Sequence, residues 1–112
     1  MTYRPDYWVP VKITSKHGIV YKILGIWSGG YLEGSWWRLN SGIAEYYIES
    51  DYYNFIGHSG SSYVCKKDRQ GLNAYGFGIL EYIERKLAEI GATIEVMEDI
   101  RNENSIHVRP TS

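Results

Sequence analysis

Near residue 70 the hydrophobic period of this chain changes, and that change restricts the fold more than any other feature. Upstream, β-forming runs follow one another: Trp8 to Thr14, Ile19 to Trp27, Ser35 to Asn40, Ile43 to Glu49, Tyr52 to Gly57 and Tyr63 to Lys66. Turn-forming pieces separate them, among them Ser15-Lys16-His17-Gly18, Ser28-Gly29-Gly30, Ser41-Gly42, Ser50-Asp51 and Ser59-Gly60-Ser61. Short strands punctuated in this way read as an antiparallel meander. Downstream, between Asn73 and Ile90, Tyr75, Ile79, Ile83, Leu87 and Ile90 recur at helical spacing and form one apolar face. Gly91 supplies the stop. Gly76 and Gly78 fall early in this segment, and each costs about 1 kcal/mol against Ala in a helix interior. Either the helix begins after them or they let it lie close to the sheet.

The pattern predicts a single α+β domain. Residues 1–70 form a β-meander, 71–91 a helix, 92–108 a C-terminal strand or hairpin, and 109–112 a frayed tail. The expected architecture is a curved antiparallel sheet of about five to seven strands with one C-terminal amphipathic helix packed on one face. Ile19 to Trp27 is apolar on both faces and reads as a central strand covered from both sides. Pro10 places the first run at a sheet edge, because it cannot donate to a ladder. One helical stripe cannot cover both faces of so aromatic a sheet, which leaves a face for a ligand or for a second copy of the chain.

Composition sharpens this. The 112 residues include 11 Tyr, 4 Trp and 2 Phe. Tyr and Trp join an apolar body to a polar tip, which suits interfaces and ring-stacking sites, although Tyr is also favoured in strands for its own sake. The formal charge of −1 argues against wrapping duplex DNA, which needs a basic face. The lone Cys65 cannot form an internal disulfide and points to a reducing compartment or to indifference about redox. Met1 to Asp6 has no apolar stretch like that of a secretory leader, and no apolar run is long enough to span a bilayer. The expected setting is cytoplasmic, with no membrane partner.

Catalytic constellations are weak. Gly57-His58-Ser59-Gly60-Ser61 misses the second glycine of a nucleophile elbow and reads as a turn. Cys65 sits mid-strand, where a thiol is a small hydrophobe. His17, His58 and His107 lack ligand spacing, so neither metal nor cofactor is expected. Glu45, Glu49 and Asp51 fit solvated strand positions better than a glycosidase pair. Lys66-Lys67-Asp68-Arg69 reads as a solvated loop. The distinctive stretch is Gly25 to Ile43. Trp27, Tyr31, Trp36 and Trp37 offer flat faces for a base. Gly29 and Gly30 expose backbone amides to an anion, and Arg38 suits a phosphate. Against this stands a tight hairpin whose tryptophans are core.

The Trp27-x-Gly29-Gly30-Tyr31 and Trp37-x-Leu39-Asn40-Ser41-Gly42-Ile43 strings, with Gly57-x-Ser59-Gly60-Ser61-x-Tyr63-x-Cys65, resemble small uncharacterised bacteriophage and prophage proteins. The resemblance covers about the first two-thirds of the chain and implies a setting rather than a fold or an activity: small, single-domain, cofactor-free phage proteins are often host-takeover or counter-defence factors in the host cytoplasm. The expectation is therefore a non-enzymatic binding protein that sequesters a small nucleotide or masks a host defence protein. Two alternatives stand beside it. One is a small nuclease or cyclic-nucleotide hydrolase with His17 or His58 as general base. The other is a homo-oligomeric accessory or structural phage protein that uses its Tyr face as interface.

Overall fold

Two sheets and one helix form the chain in the computed structural model, which describes residues 1–29 and 34–111. The strands are β1 (Thr2–Tyr3), β2 (Tyr7–Ser15), β3 (Gly18–Ser28), β4 (Ser35–Leu39), β5 (Ile43–Glu49), β6 (Tyr52–Gly57), β7 (Ser62–Lys66), β8 (Thr93–Val96) and β9 (His107–Val108). The helix α1 is Ala74–Ala88, and short 3-10 turns occupy Lys67–Arg69 and Ile100–Asn102. The α+β class holds, with a single helix packed on sheet. The strands, however, divide into a five-stranded sheet, β1-β7-β6-β5-β9, and a four-stranded one, β4-β3-β2-β8. The meander is antiparallel, while the terminal strands join the larger sheet in parallel, β1 along β7 and β9 along β5.

The layers are sheet, sheet, helix. Alternation along β3 explains the order. Ile23 faces the larger sheet and packs with Trp8, Tyr46, Tyr53, Phe55, Tyr63 and Cys65. Leu24 and Ile26 face the other way and pack with Val9, Val11 and Ile83, against Tyr75, Ile79 and Leu87 of the helix. The central strand is thus covered on both sides, as its sequence predicts. The aromatic face that the helix cannot reach is covered by the chain's own second sheet. Buried tryptophan needs an acceptor, and Trp8 Nε1 donates to the Lys66 carbonyl at 2.7 Å.

Pro10 is a partial correction. It lies in β2, an interior strand of its sheet. Its carbonyl accepts from the Met97 amide at 2.9 Å, just past the last β2–β8 pair, Val11 with Val96. The missing N–H therefore points to where β8 has already ended, so a proline there breaks no ladder bond. The helix begins at Ala74, before both glycines. Asn73 caps it by accepting from the Gly76 amide at 2.8 Å, as side-chain oxygens do at helix starts. Gly76 is buried against the sheet and Gly78 is exposed. Among the described residues no helix is long and apolar enough to cross a membrane.

Candidate functional site

Position along β4 decides which of the candidate residues meet. Side chains alternate across a strand, so Trp36 and Arg38 share one face and Trp37 takes the other. Trp37 packs with the helix-side core and meets Tyr82 edge-on, centroids 6.4 Å apart. It stands on the opposite side from its neighbours. Trp36 is the register partner of Trp27 on β3, and the two indoles stack at 4.0 Å with planes 5° apart. The Trp27 ring also lies over Gly25, where a Cβ would come within 3.1 Å of it. The edge of Tyr3 meets Trp27 at 6.3 Å, and the Arg38 guanidinium sits 4.6 Å from the centre of the Tyr3 ring.

The indoles are therefore neither sealed core nor a set of free platforms. Trp27 is half-buried and spends one face on Trp36, while Trp36 remains 44% exposed. One indole face is left for a ligand. Gly29 follows the end of β3 and is half-buried. Gly30 and Tyr31 lie outside the described residues.

Arg38 leads into a feature that the candidate stretch does not reveal by itself. At the seam where edge strand β4 meets edge strand β1, a cleft of about 260 Å³ is lined by Arg38, Asn40, Ser41, Ser59, Ser61 and Tyr63, with Tyr3 and Leu39. Two turns build it. The Gly57 amide donates to the Ser61 carbonyl at 2.8 Å and the Ser59 amide donates to Ser41 Oγ at 3.0 Å. The His58 amide donates to the Gly42 carbonyl at 2.9 Å. A Cβ on Gly57 would lie 2.8 Å from Ser41 Oγ, so a side chain there would push the two turns apart. The Gly-His-Ser-Gly-Ser string is thus a hairpin turn whose serines line a cleft.

Asn40 fastens this seam to the sheet. Its amide donates to the Ile23 carbonyl at 3.1 Å and its Oδ1 accepts from the Ile23 amide at 2.9 Å, which prolongs the β3–β4 ladder by one side-chain rung. Asn40 Nδ2 and the Tyr63 hydroxyl are buried with no hydrogen-bond partner among the described residues. Burial pushes the Tyr63 phenol up to about 12, with the nearby Arg38 guanidinium opposing the rise from outside hydrogen-bonding geometry.

The other polar side chains are placed elsewhere. His17 is exposed in the β2–β3 turn. His58 is exposed beside a cleft of about 270 Å³ lined otherwise by aliphatic residues, Tyr21 and Ser105. His107 Nε2 lies 3.8 Å from Glu45 Oε2 on the outer face of the larger sheet, where Arg109 also pairs with Glu45. Among the described residues no group of three or more His, Cys, Asp and Glu is arranged to hold a metal ion. Cys65 is fully buried, and burial raises its thiol pKa well above the usual value. Comparison with protein-family models, with curated proteins and with solved structures finds no match to this chain.

Proposed function

We propose that this chain is a non-enzymatic binding protein whose ligand carries a flat ring and a phosphate, a small nucleotide by chemical class. One observation carries the reading: the stacked Trp27–Trp36 pair offers a single open indole face, with Arg38 two positions along the same strand face. A base laid on Trp36 would extend the existing stack. Stacking contributes about 1–3 kcal/mol per base, too little alone for tight retention, so the phosphate contact of Arg38 is part of the proposal. The rise of about 3.3 Å per residue along a strand separates the two side chains by a span that one nucleotide bridges. The counter-defence role, whether by holding such a signal or by masking a host protein, rests on the resemblance of the Trp27–Ile43 and Gly57–Cys65 strings to phage proteins.

The test is direct. Purified protein is denatured and the supernatant read for ultraviolet absorbance, and ligand-free protein is titrated with a nucleotide panel by calorimetry and by tryptophan fluorescence. The expected result is quenching by at least one nucleotide, lost in Trp36→Ala. No released ligand together with no heat and no quenching across the panel overturns the proposal.

A further inference from the structure

We infer that the cleft beside Arg38 is an oxyanion site of phosphate-monoester size, holding the phosphate of the ligand whose ring stacks on Trp36. This rests on the binding reading above and adds to it where the charged end goes. Two atoms start the argument. Asn40 is 4% exposed and Tyr63 is 1% exposed, yet among the described residues Asn40 Nδ2 and the Tyr63 hydroxyl have no partner. A buried donor left unpaired is costly, and folded chains leave few of them. Here two, one just past the end of β4 and one in β7, belong to residues that line one cleft.

The rest of the lining agrees in kind. Arg38 brings a guanidinium, and Ser41, Ser59 and Ser61 bring hydroxyls. Ser41 Oγ already accepts from the Ser59 amide, so its own proton is free to be donated. The raised phenol pKa keeps Tyr63 a neutral donor at physiological pH. Every polar side chain of the lining among the described residues can donate, and no carboxylate of the described residues is among them. A donor set of this composition solvates an anion and offers little to an amine or a metal cation. Size narrows the choice further. At about 260 Å³ the cleft falls below the roughly 300–1,000 Å³ of pockets that enclose a whole small ligand. A phosphate and its ester carbon fit within, and the ring must lie outside, towards Trp36. Entry requires the Arg38 side chain to swing from its place over Tyr3, and its exposed position on an edge strand allows that.

The experiment titrates the full chain with inorganic phosphate, against sodium chloride at matched ionic strength, by thermal melting. Adenosine and its 5′-monophosphate are titrated separately by tryptophan fluorescence. Phosphate should raise the melting temperature where chloride does not. Tyr63→Phe should weaken phosphate binding about tenfold, the loss of one hydrogen bond to a charged group, with adenosine quenching unchanged. Ser61→Ala, a half-buried hydroxyl that plays no part in the core, should weaken phosphate in the same direction. A phosphate response absent in the native chain, or as strong in both variants as in the native chain, overturns the inference. Adenosine quenching without a phosphate response leaves the stacking reading standing and removes the cleft. A phosphate response without quenching by either nucleoside compound does the reverse.

Discussion

Two glycines two positions apart on the helix, Gly76 and Gly78, should respond to the same substitution with opposite signs. Replacing a helical Gly by Ala stabilises a helix by roughly 0.5–1 kcal/mol when nothing opposes the methyl. At Gly78 nothing lies within 4 Å of the added Cβ, so Gly78→Ala should gain about that much. At Gly76 the methyl would come within 2.9 Å of Leu72 Cδ2 and 3.2 Å of both Leu72 Cβ and Ile26 Cγ1. The Leu72 tip can rotate away. Ile26 cannot, being fully buried between strand and helix, and its contact must be relieved by moving the helix off the sheet. Overpacking of this kind costs about 1–3 kcal/mol. Gly76 also sits in the first turn, where Asn73 already receives its amide, so the propensity gain is smaller than at Gly78. Gly76→Ala should therefore lose about 1 kcal/mol. For a domain of this size 1 kcal/mol corresponds to about 4–8 °C in melting temperature. Thermal and urea melts of both variants should diverge in opposite directions from the native chain. Equal stabilisation by the two would refute the argument that close helix–sheet approach is what retains Gly76.

Further outcomes follow from single groups. In phosphate-free buffer Tyr63→Phe should leave stability unchanged or raise it by up to about 1 kcal/mol, because the hydroxyl it removes has no partner; a loss in urea melts would mean that a bound water satisfies it. Asn73→Ala removes the helix cap and should cost about 1 kcal/mol, measured by helical circular dichroism through a thermal melt. Burial raises the phenols of Tyr46, Tyr53 and Tyr63, the last from 10.0 to about 12. A raised folded pKa means that the folded state holds the proton more tightly. That stability is complete below pH 10 and should be lost as pH climbs from 10 through 12. Equilibrium unfolding followed by tyrosinate absorbance should show these three phenols ionising together with unfolding, and their ionisation in a still-folded chain would contradict it. Cys65 should resist thiol reagents in the native state and react on denaturation, since its thiol is both buried and held protonated.

The strands and the helix were legible because their signals are local. Alternation along Ile43 to Glu49, the Gly and Ser turns, and the Tyr75-to-Leu87 spacing each depend on neighbours in the chain. Which strands share a sheet does not. The two apolar faces of β3 mark a strand covered on both sides, but alternation along β5, β6 and β7 does not say whether those strands join it in one sheet or stack on it in another. The parallel joins of β1 and β9 rest on two residues each, too few for any period to register. The aromatic excess was ambiguous for a related reason. Two small sheets packed about 10 Å apart have few inward positions, and large rings fill them. Trp8, Tyr46, Tyr53, Phe55 and Tyr63 do so, which leaves Trp36 as the indole with an open face.

The cleft was the least legible part, although all its residues lie in stretches that read as turns or strands. Ser41 and Ser59 are separated along the chain by the whole of β5 and β6, and only strand order brings their turns together. Asn40 explains why the place is polar at all. A ladder continuing past Leu39 needs an acceptor for the Ile23 amide, and the main chain is already turning towards Ser41-Gly42. The Asn40 side chain supplies that acceptor through Oδ1, and an amide side chain cannot present its oxygen without carrying its NH₂ group along. An aspartate would supply the acceptor without the donor, but at the cost of burying a charge. The structural duty of Asn40 thus leaves a donor unpaired among the described residues in a residue that lines the same cleft as Tyr63 and Arg38, and the proposed phosphate site starts from a requirement of the fold.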